Sequence, residues 1–199
     1  MDQKYGEFVG VDSLHYAPIT ANTDTAYTPS SPVYLAPAAE VAAAAKVSNT
    51  ATYYDNAAAG SYVTEGTTDI KVVVSNLDSK TLATLLGKSY DATSGQVYDS
   101  GAANPPLVAL GFRFNMGADG YRYYWYYVGR FGGGEEAATT KKDDVDVKTY
   151  ELTFTALTTS KKFPVGGKTV PLKRVFADTA DTAFTGEEDW FSAVQVPAA

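Results

Sequence analysis

Apolar and polar side chains alternate most cleanly late in the chain. Tyr150, Leu152, Phe154 and Ala156 fall on one face of an extended segment, and Thr149, Glu151, Thr153 and Thr155 on the other. A period of two belongs to a strand with one dry and one wet face, and it predicts a long strand over 145–157. The run Tyr-Arg-Tyr-Tyr-Trp-Tyr-Tyr at 121–127 breaks that rule. One side carries Tyr121, Tyr123, Trp125 and Tyr127; the other carries Arg122, Tyr124 and Tyr126. Neither side suits water, so the pattern predicts a strand covered on both faces, by a second layer of its own domain and by another subunit. With residues 107–115 it reads as a hairpin around 116–120. Residues 69–75, Asp-Ile-Lys-Val-Val-Val-Ser, read as a further strand.

Only residues 78–86 carry a full set of helix signals. Asp78 can cap the N-terminus, Leu77 and Leu82 sit at the positions of a hydrophobic staple, and Gly87 ends the helix. Leu82, Leu85 and Leu86 make one apolar face. Residues 8–17 read as a first strand within an N-terminal arm of about 1–17. Residues 18–32 read as loop, punctuated by Pro18, Pro29 and Pro32. In 33–48, Ala42–Ala45 favours helix by propensity. Val33, Leu35, Val41 and Val47 do not make a helical stripe, however, and the segment reads as two short strand pieces. Residues 49–68 form a long polar segment and read as a long functional loop. Residues 132–144 read as a Gly-rich and then charged loop. The C-terminal arm, about 160–199, holds a Gly166-Gly167 turn and the pair Trp190-Phe191. The sum is one domain over 1–199, mainly β: a β-sandwich with one flanking α-helix, long loops and terminal arms.

Composition sharpens this picture. Fifteen Tyr stand against two Trp and two Met, a balance that suits β structure and interfaces. The formal net charge is −7 and no basic cluster stands out, which argues against a protein that grips phosphates. The absence of Cys excludes disulfides, thiol catalysis and cysteine–zinc sites. The start, Met1-Asp2-Gln3-Lys4-Tyr5, lacks the basic and apolar regions of a signal peptide, and no apolar run is long enough to span a bilayer. A soluble protein made in the cytoplasm, without membrane partners, is the expectation.

Candidate chemistry is thin. His15, the sole histidine, sits between Leu14 and Tyr16 with no motif around it, and packing explains it better than catalysis. Asp143, Asp144 and Asp146 lack the spacing and turn glycine of a calcium loop, and Lys141 and Lys142 adjoin them. Gly132-Gly133-Gly134 is not followed by the Lys-Ser/Thr of a phosphate loop. No catalytic, metal or cofactor residue is expected, and the chain reads as a non-enzyme; a β-sandwich hydrolase is the weakest alternative. Tyr53-Tyr54 and Trp190-Phe191 fit equally well as sugar-stacking platforms or as subunit anchors.

Several segments in order give a resemblance. Residues 5–17, Tyr-Gly-Glu-Phe-Val-Gly-Val-Asp-Ser-Leu-His-Tyr-Ala, come first, followed by Tyr53-Tyr54-Asp55-Asn56. Residues 143–152, Asp-Asp-Val-Asp-Val-Lys-Thr-Tyr-Glu-Leu, and 171–179, Pro-Leu-Lys-Arg-Val-Phe-Ala-Asp-Thr, complete the set. Together they resemble the major tail protein of long, flexible-tailed bacteriophages of the siphovirus type found in Gram-positive hosts. The resemblance implies a virion structural protein: homohexameric rings, sharing an inner β-barrel, stack into a tail tube through which DNA passes on ejection without specific binding. It implies a tape-measure protein and a tail terminator as further partners. The loop 49–68 would then join rings. Tyr53, Tyr54, Asp55, Asn56, Tyr62, Tyr124, Tyr126, Trp190 and Phe191 would be contact candidates, and Thr149, Glu151, Thr153 and Thr155 would be lumen candidates. The alternative is a carbohydrate-binding or adhesin-type β-module on a virion or cell surface.

Overall fold

The computed structural model describes residues 6–117, 120–135 and 149–197. The charged part of the 132–144 loop and the start of the expected strand at 145–148 lie outside them. So do Asp143, Asp144 and Asp146.

The described chain is mainly β. A single large antiparallel sheet has the order β2(Tyr27–Pro29), β1(Gly10–Asn22), β8(Val108–Asn115), β9(Tyr121–Glu135), β10(Tyr150–Leu157), β5(Ala57–Val74), β4(Ala38–Tyr54). β3(Val33–Tyr34) joins β1, and β13(Arg174–Asp178) joins β9. Two small hairpins stand apart, β6(Ser89–Asp91) with β7(Gln96–Tyr98) and β11(Lys162–Val165) with β12(Lys168–Pro171). β1 and β4, far apart in strand order, are nevertheless in contact, so the sheet folds over itself. Inside the fold lie Leu14, Ile70, Val72, Val74, Leu110, Phe112, Leu152 and Phe154. Each fully buried aliphatic or aromatic side chain of this kind is worth about 1.5–3 kcal/mol.

The one helix among the described residues, α1(Ser79–Leu86), plugs this core with Leu85 and Leu86. Its ends are those the sequence predicts. Asp78 Oδ1 accepts the Thr81 N–H at 2.9 Å, and Gly87 adopts φ 67°. Leu77 and Leu82 both pack on the core. A side chain at Gly87 would also collide with the Asn104 carbonyl, so only glycine fits there.

Strand β9 is the centre of the sheet. Over residues 122–126 it pairs with β8 on one edge and β13 on the other, and β10 takes over from 128 onward. Its two faces serve two cores. Tyr124 and Tyr126 join the inner core with Phe112, while Tyr123, Trp125 and Tyr127 build a second core with Tyr27, Phe163, Trp190 and Val194. The expectation of cover by another subunit is therefore corrected: the chain covers this strand itself. The C-terminal arm supplies much of the second layer. Trp125 Nε1 donates to the Trp190 carbonyl at 3.0 Å, and the Trp190 ring lies 5.7 Å from that of Tyr123. Tyr27 Oη donates to the Tyr127 carbonyl at 2.7 Å, and burial pushes both phenols far above their ordinary pKa. Gly111 lies opposite Trp125, and a Cβ there would sit 2.7 Å from the indole.

Four segments depart from the sequence reading, the first being Gly132–Glu135, which closes β9 as strand instead of opening a loop. Strand β1 runs through Pro18 to Asn22, and Tyr27–Pro29 is a strand too, so much of 18–32 is not loop. Residues 33–48 do hold two strand pieces, β3 and the start of β4, but the second is long: Ala42–Ala45 lies within a strand that runs on to Tyr54. Residues 49–68 are the arms of the β4–β5 hairpin, not a loop. Apart from Thr68 at the root, neither face of those arms is buried, so no alternation marks them. Thr, Val and Tyr still favour the extended state, and cross-strand hydrogen bonds satisfy the inward-facing backbone groups. The turn is Asp55-Asn56, both left-handed at φ 49° and 63°, the geometry that a tight hairpin turn needs and that Asp and Asn tolerate. The Gly166-Gly167 hairpin turn is present as expected.

Trp190, 4% exposed, holds the C-terminal arm to β9. Trp190→Ala is expected to lower unfolding stability by about 3–5 kcal/mol. The same change should open residues 180–197 to limited proteolysis before the sheet unfolds. Unchanged denaturant midpoints and an unchanged digestion pattern would show that the arm is held elsewhere.

Candidate functional site

Strand β5 keeps two partners only to Thr68, where β10 pairs with it for the last time. From the Val47↔Glu65 pair outward, β4 and β5 pair with each other alone. They form a two-stranded ribbon about 25 Å long, at roughly 3.3 Å per residue. Both faces are open. Tyr53, Tyr54 and Tyr62 are 67%, 70% and 68% exposed, and Val47 and Val63 are exposed beside them. A two-stranded ribbon without a covering layer is marginally stable in water.

The root of the ribbon is tied down. Lys173 Nζ donates to Glu65 Oε1 and to the Gly66 carbonyl, both at 2.6 Å, and to Thr68 Oγ1 at 3.4 Å. Its side chain is largely buried by these contacts, while Glu65 remains exposed. The hydrogen bond and charge of Lys173 hold the Glu65 carboxyl below its ordinary pKa.

Below the root, the outward face of β4, β5 and β10 is an array of compensated charges. Lys71 lies 3.3 Å from both Glu151 and Glu40, and these two carboxylates raise its pKa. Lys46 lies 2.8 Å from Asp69, which also accepts from Thr155 Oγ1 at 3.0 Å, and both contacts lower the Asp69 pKa. Glu151, Thr153 and Thr155 share this face; Thr149 lies exposed just before β10.

The other contact candidates divide. Tyr53, Tyr54, Asp55 and Asn56 come together at the ribbon tip, with Tyr62 further back on β5 opposite Thr50. Tyr124, Tyr126 and Trp190 are buried largely by their own chain, although Tyr124 and Tyr126 also contribute to the lining of a groove. Phe191 is half-buried and stacks on His15 with centroids 4.6 Å apart. His15 is thus a packed histidine, its Nδ1 2.7 Å from the Ser13 carbonyl oxygen.

The sequence reading missed a groove beside the ribbon root. It measures about 540 Å³ and is lined by Phe8, Val11, Phe114, Tyr124, Tyr126 and Arg174 and by residues 39–43 of β4. Phe8 and Phe114 pack with ring centroids 5.0 Å apart. The Arg174 guanidinium lies over Phe176 at 5.4 Å and donates from Nη1 to Tyr126 Oη at 3.2 Å. These residues come from distant segments, and no local spacing marks them. The tip did carry a signal, the turn-forming Asp55-Asn56 between two β-prone runs.

Among the described residues no three His, Asp or Glu side chains are grouped to hold a metal ion, and no helix is long and apolar enough to cross a membrane. Comparison with protein-family models and with curated proteins gave no match.

The Glu65–Lys173 contact has a defined pH dependence. A carboxyl whose pKa is lowered by folding stabilises the fold fully above its unfolded value, here 4.5, and loses that contribution as pH falls through the lowered value. Residues 47–65 should therefore become protease-sensitive as the pH falls below 4.5 and through that lowered value, while the sheet persists. Lys173→Ala should produce the same sensitivity at pH 7. A ribbon equally resistant in the variant and at both pH values would mean that the clamp contributes nothing.

Proposed function

We propose that this chain is the structural subunit of a phage tail tube, forming hexameric rings that stack into a hollow conduit for DNA. The observation that carries this reading is the ribbon. A chain that extends paired strands well beyond its core, exposes both faces and places two tyrosines at the tip has built an element that gains stability only by docking. Among the described residues the outer edge of β4 is free, and this supports the same reading. It leaves a row of unpaired backbone groups, which a neighbouring copy would satisfy. Exposed Tyr rings at the tip are good anchors, because they bury much area at little entropic cost.

The compensated face of β10 supports a role as the wall of a conduit. DNA affinity grows with the number of phosphates neutralised by Lys and Arg. On this face Lys71 and Lys46 are each engaged by carboxylates, so neither offers a free cation to a passing duplex. With Glu151, Thr153 and Thr155 turned to the lumen, DNA would slide rather than stick. The resemblance adds a tape-measure protein and a tail terminator as partners, and location in the virion tail. The carbohydrate-binding alternative shares the exposed tyrosines but has no use for a free strand edge.

Replacing residues 50–62 by Asn-Gly joins the paired residues Asn49 and Val63 through a tight turn and removes the tip. The wild-type protein is expected to form tubes visible by negative-stain microscopy, and the shortened protein to stay folded without elongating. Normal tubes from the shortened protein would overturn the role given to the ribbon. A strictly monomeric wild-type protein at all concentrations and salts, binding glycans instead, would replace the tube reading by the alternative. Assembled tubes should also show no appreciable DNA retention at low salt, where phosphate affinity is greatest.

A further inference from the structure

The ribbon tip and the groove at its root complement each other, yet they cannot meet within one chain. The groove is lined by residues 39–43 of β4, and the tip lies further along the same strand. At roughly 3.3 Å per residue, Ala43 and Tyr53 are about 33 Å apart along an extended strand that cannot fold back on itself. We propose that the tip of one copy, Tyr53-Tyr54-Asp55, seats in the groove of the next copy, with Asp55 against Arg174. This rests on the reading of the chain as a self-assembling subunit and adds the acceptor site to it.

Three features of the groove fit that occupant. Its floor is aromatic, with Phe8 and Phe114 packed together and Phe8 half exposed, which suits two incoming phenol rings. Its rim holds Arg174, which is exposed and forms no ion pair among the described residues, while the tip offers Asp55, likewise without an ion pair among them. Its wall is the edge of β4 that no strand pairs among the described residues, and whose backbone donors and acceptors can add an incoming strand. The contact is head-to-tail: each copy gives a tip and receives one. Such a heterologous contact need not close on itself and propagates as a stack. The ribbon length would then set the spacing between successive copies.

Charge exchange tests this directly. Asp55→Arg alone and Arg174→Asp alone each oppose like charges at the contact. Each should raise the concentration needed for assembly by at least roughly tenfold while leaving the circular dichroism spectrum unchanged. Mixing the two variants restores opposite charges at every contact between them. The basic tip of the Asp55→Arg protein meets the acidic groove of the Arg174→Asp protein, and the unchanged tip of the latter meets the unchanged groove of the former. The mixture should therefore recover assembly that neither variant shows alone. In the cysteine-free background, protein carrying both Asp55→Cys and Arg174→Cys should oxidise to a ladder of covalent multimers, whereas each single-cysteine protein stops at dimers. Single variants that assemble like wild type, a mixture that fails to recover, or a double-cysteine protein that gives no ladder would overturn the groove assignment. If removal of residues 50–62 still abolished tubes, the tube reading would survive that loss. Wild-type protein that never assembles would overturn both.

Discussion

The structure depends on keeping strand β9 dry on both faces. Its rings alternate between two cores, and neither core is complete without the other side of the chain. The inner core needs β4, β5, β10 and α1 to wrap over Tyr124, Tyr126 and Phe131. The outer core needs Tyr27 from the N-terminal half and Trp190 and Val194 from the C-terminal arm to cover Tyr123, Trp125 and Tyr127. Because one strand is shared, the two layers cannot slide independently. Gly111 and Gly129 show how tight the packing is: each faces an aromatic ring that leaves no room for a Cβ. The C-terminal arm is for this reason part of the fold and not an appendage.

A domain so closed around its centre directs its unspent surface to the periphery. Phe8, Phe176 and the ribbon tyrosines remain exposed, and among the described residues β4 keeps a free edge. Natural sheet proteins usually blunt such edges with charge or irregularity. Here β4 carries a run of alanines between Glu40 and Lys46, and those two charges are already engaged with Lys71 and Asp69. The edge is thus weakly defended, which is consistent with an edge meant to be paired. Lys173 adds a mechanical element, since it ties the ribbon root to the start of β13 and so to the central strand.

The charges serve the same division. On the outward face of β4, β5 and β10, acids and bases neutralise one another in contact, so the surface is polar without presenting a strong field. Exposed pairs of this kind add little stability. Their effect is on what the face attracts, and a face of engaged lysines attracts no polyanion strongly. Arg174 differs: its contacts are aromatic rings and a phenol, it forms no ion pair among the described residues, and the Glu65 carboxylate only feels its charge at longer range, so most of that charge stays available at the groove.

The sequence by itself determined the elements whose signals are local. The helix at 79–86 follows from Asp78, Gly87 and the leucines between them. The β8–β9 hairpin and the alternating strand β10 follow from period-two patterns, and the Gly-Gly turn between β11 and β12 from backbone freedom. The double-faced character of β9 was legible too, but not what covers it, because a pattern records that a face is dry and not which residues dry it. The ribbon was illegible as strand for the converse reason: with both faces in water it has no apolar phase to read, and its strands are held by backbone pairing that any sequence can make. The groove was illegible altogether. Phe8, Phe114 and Arg174 are brought together only when the sheet folds over and β13 pairs with β9, so their juxtaposition is a property of the tertiary structure alone.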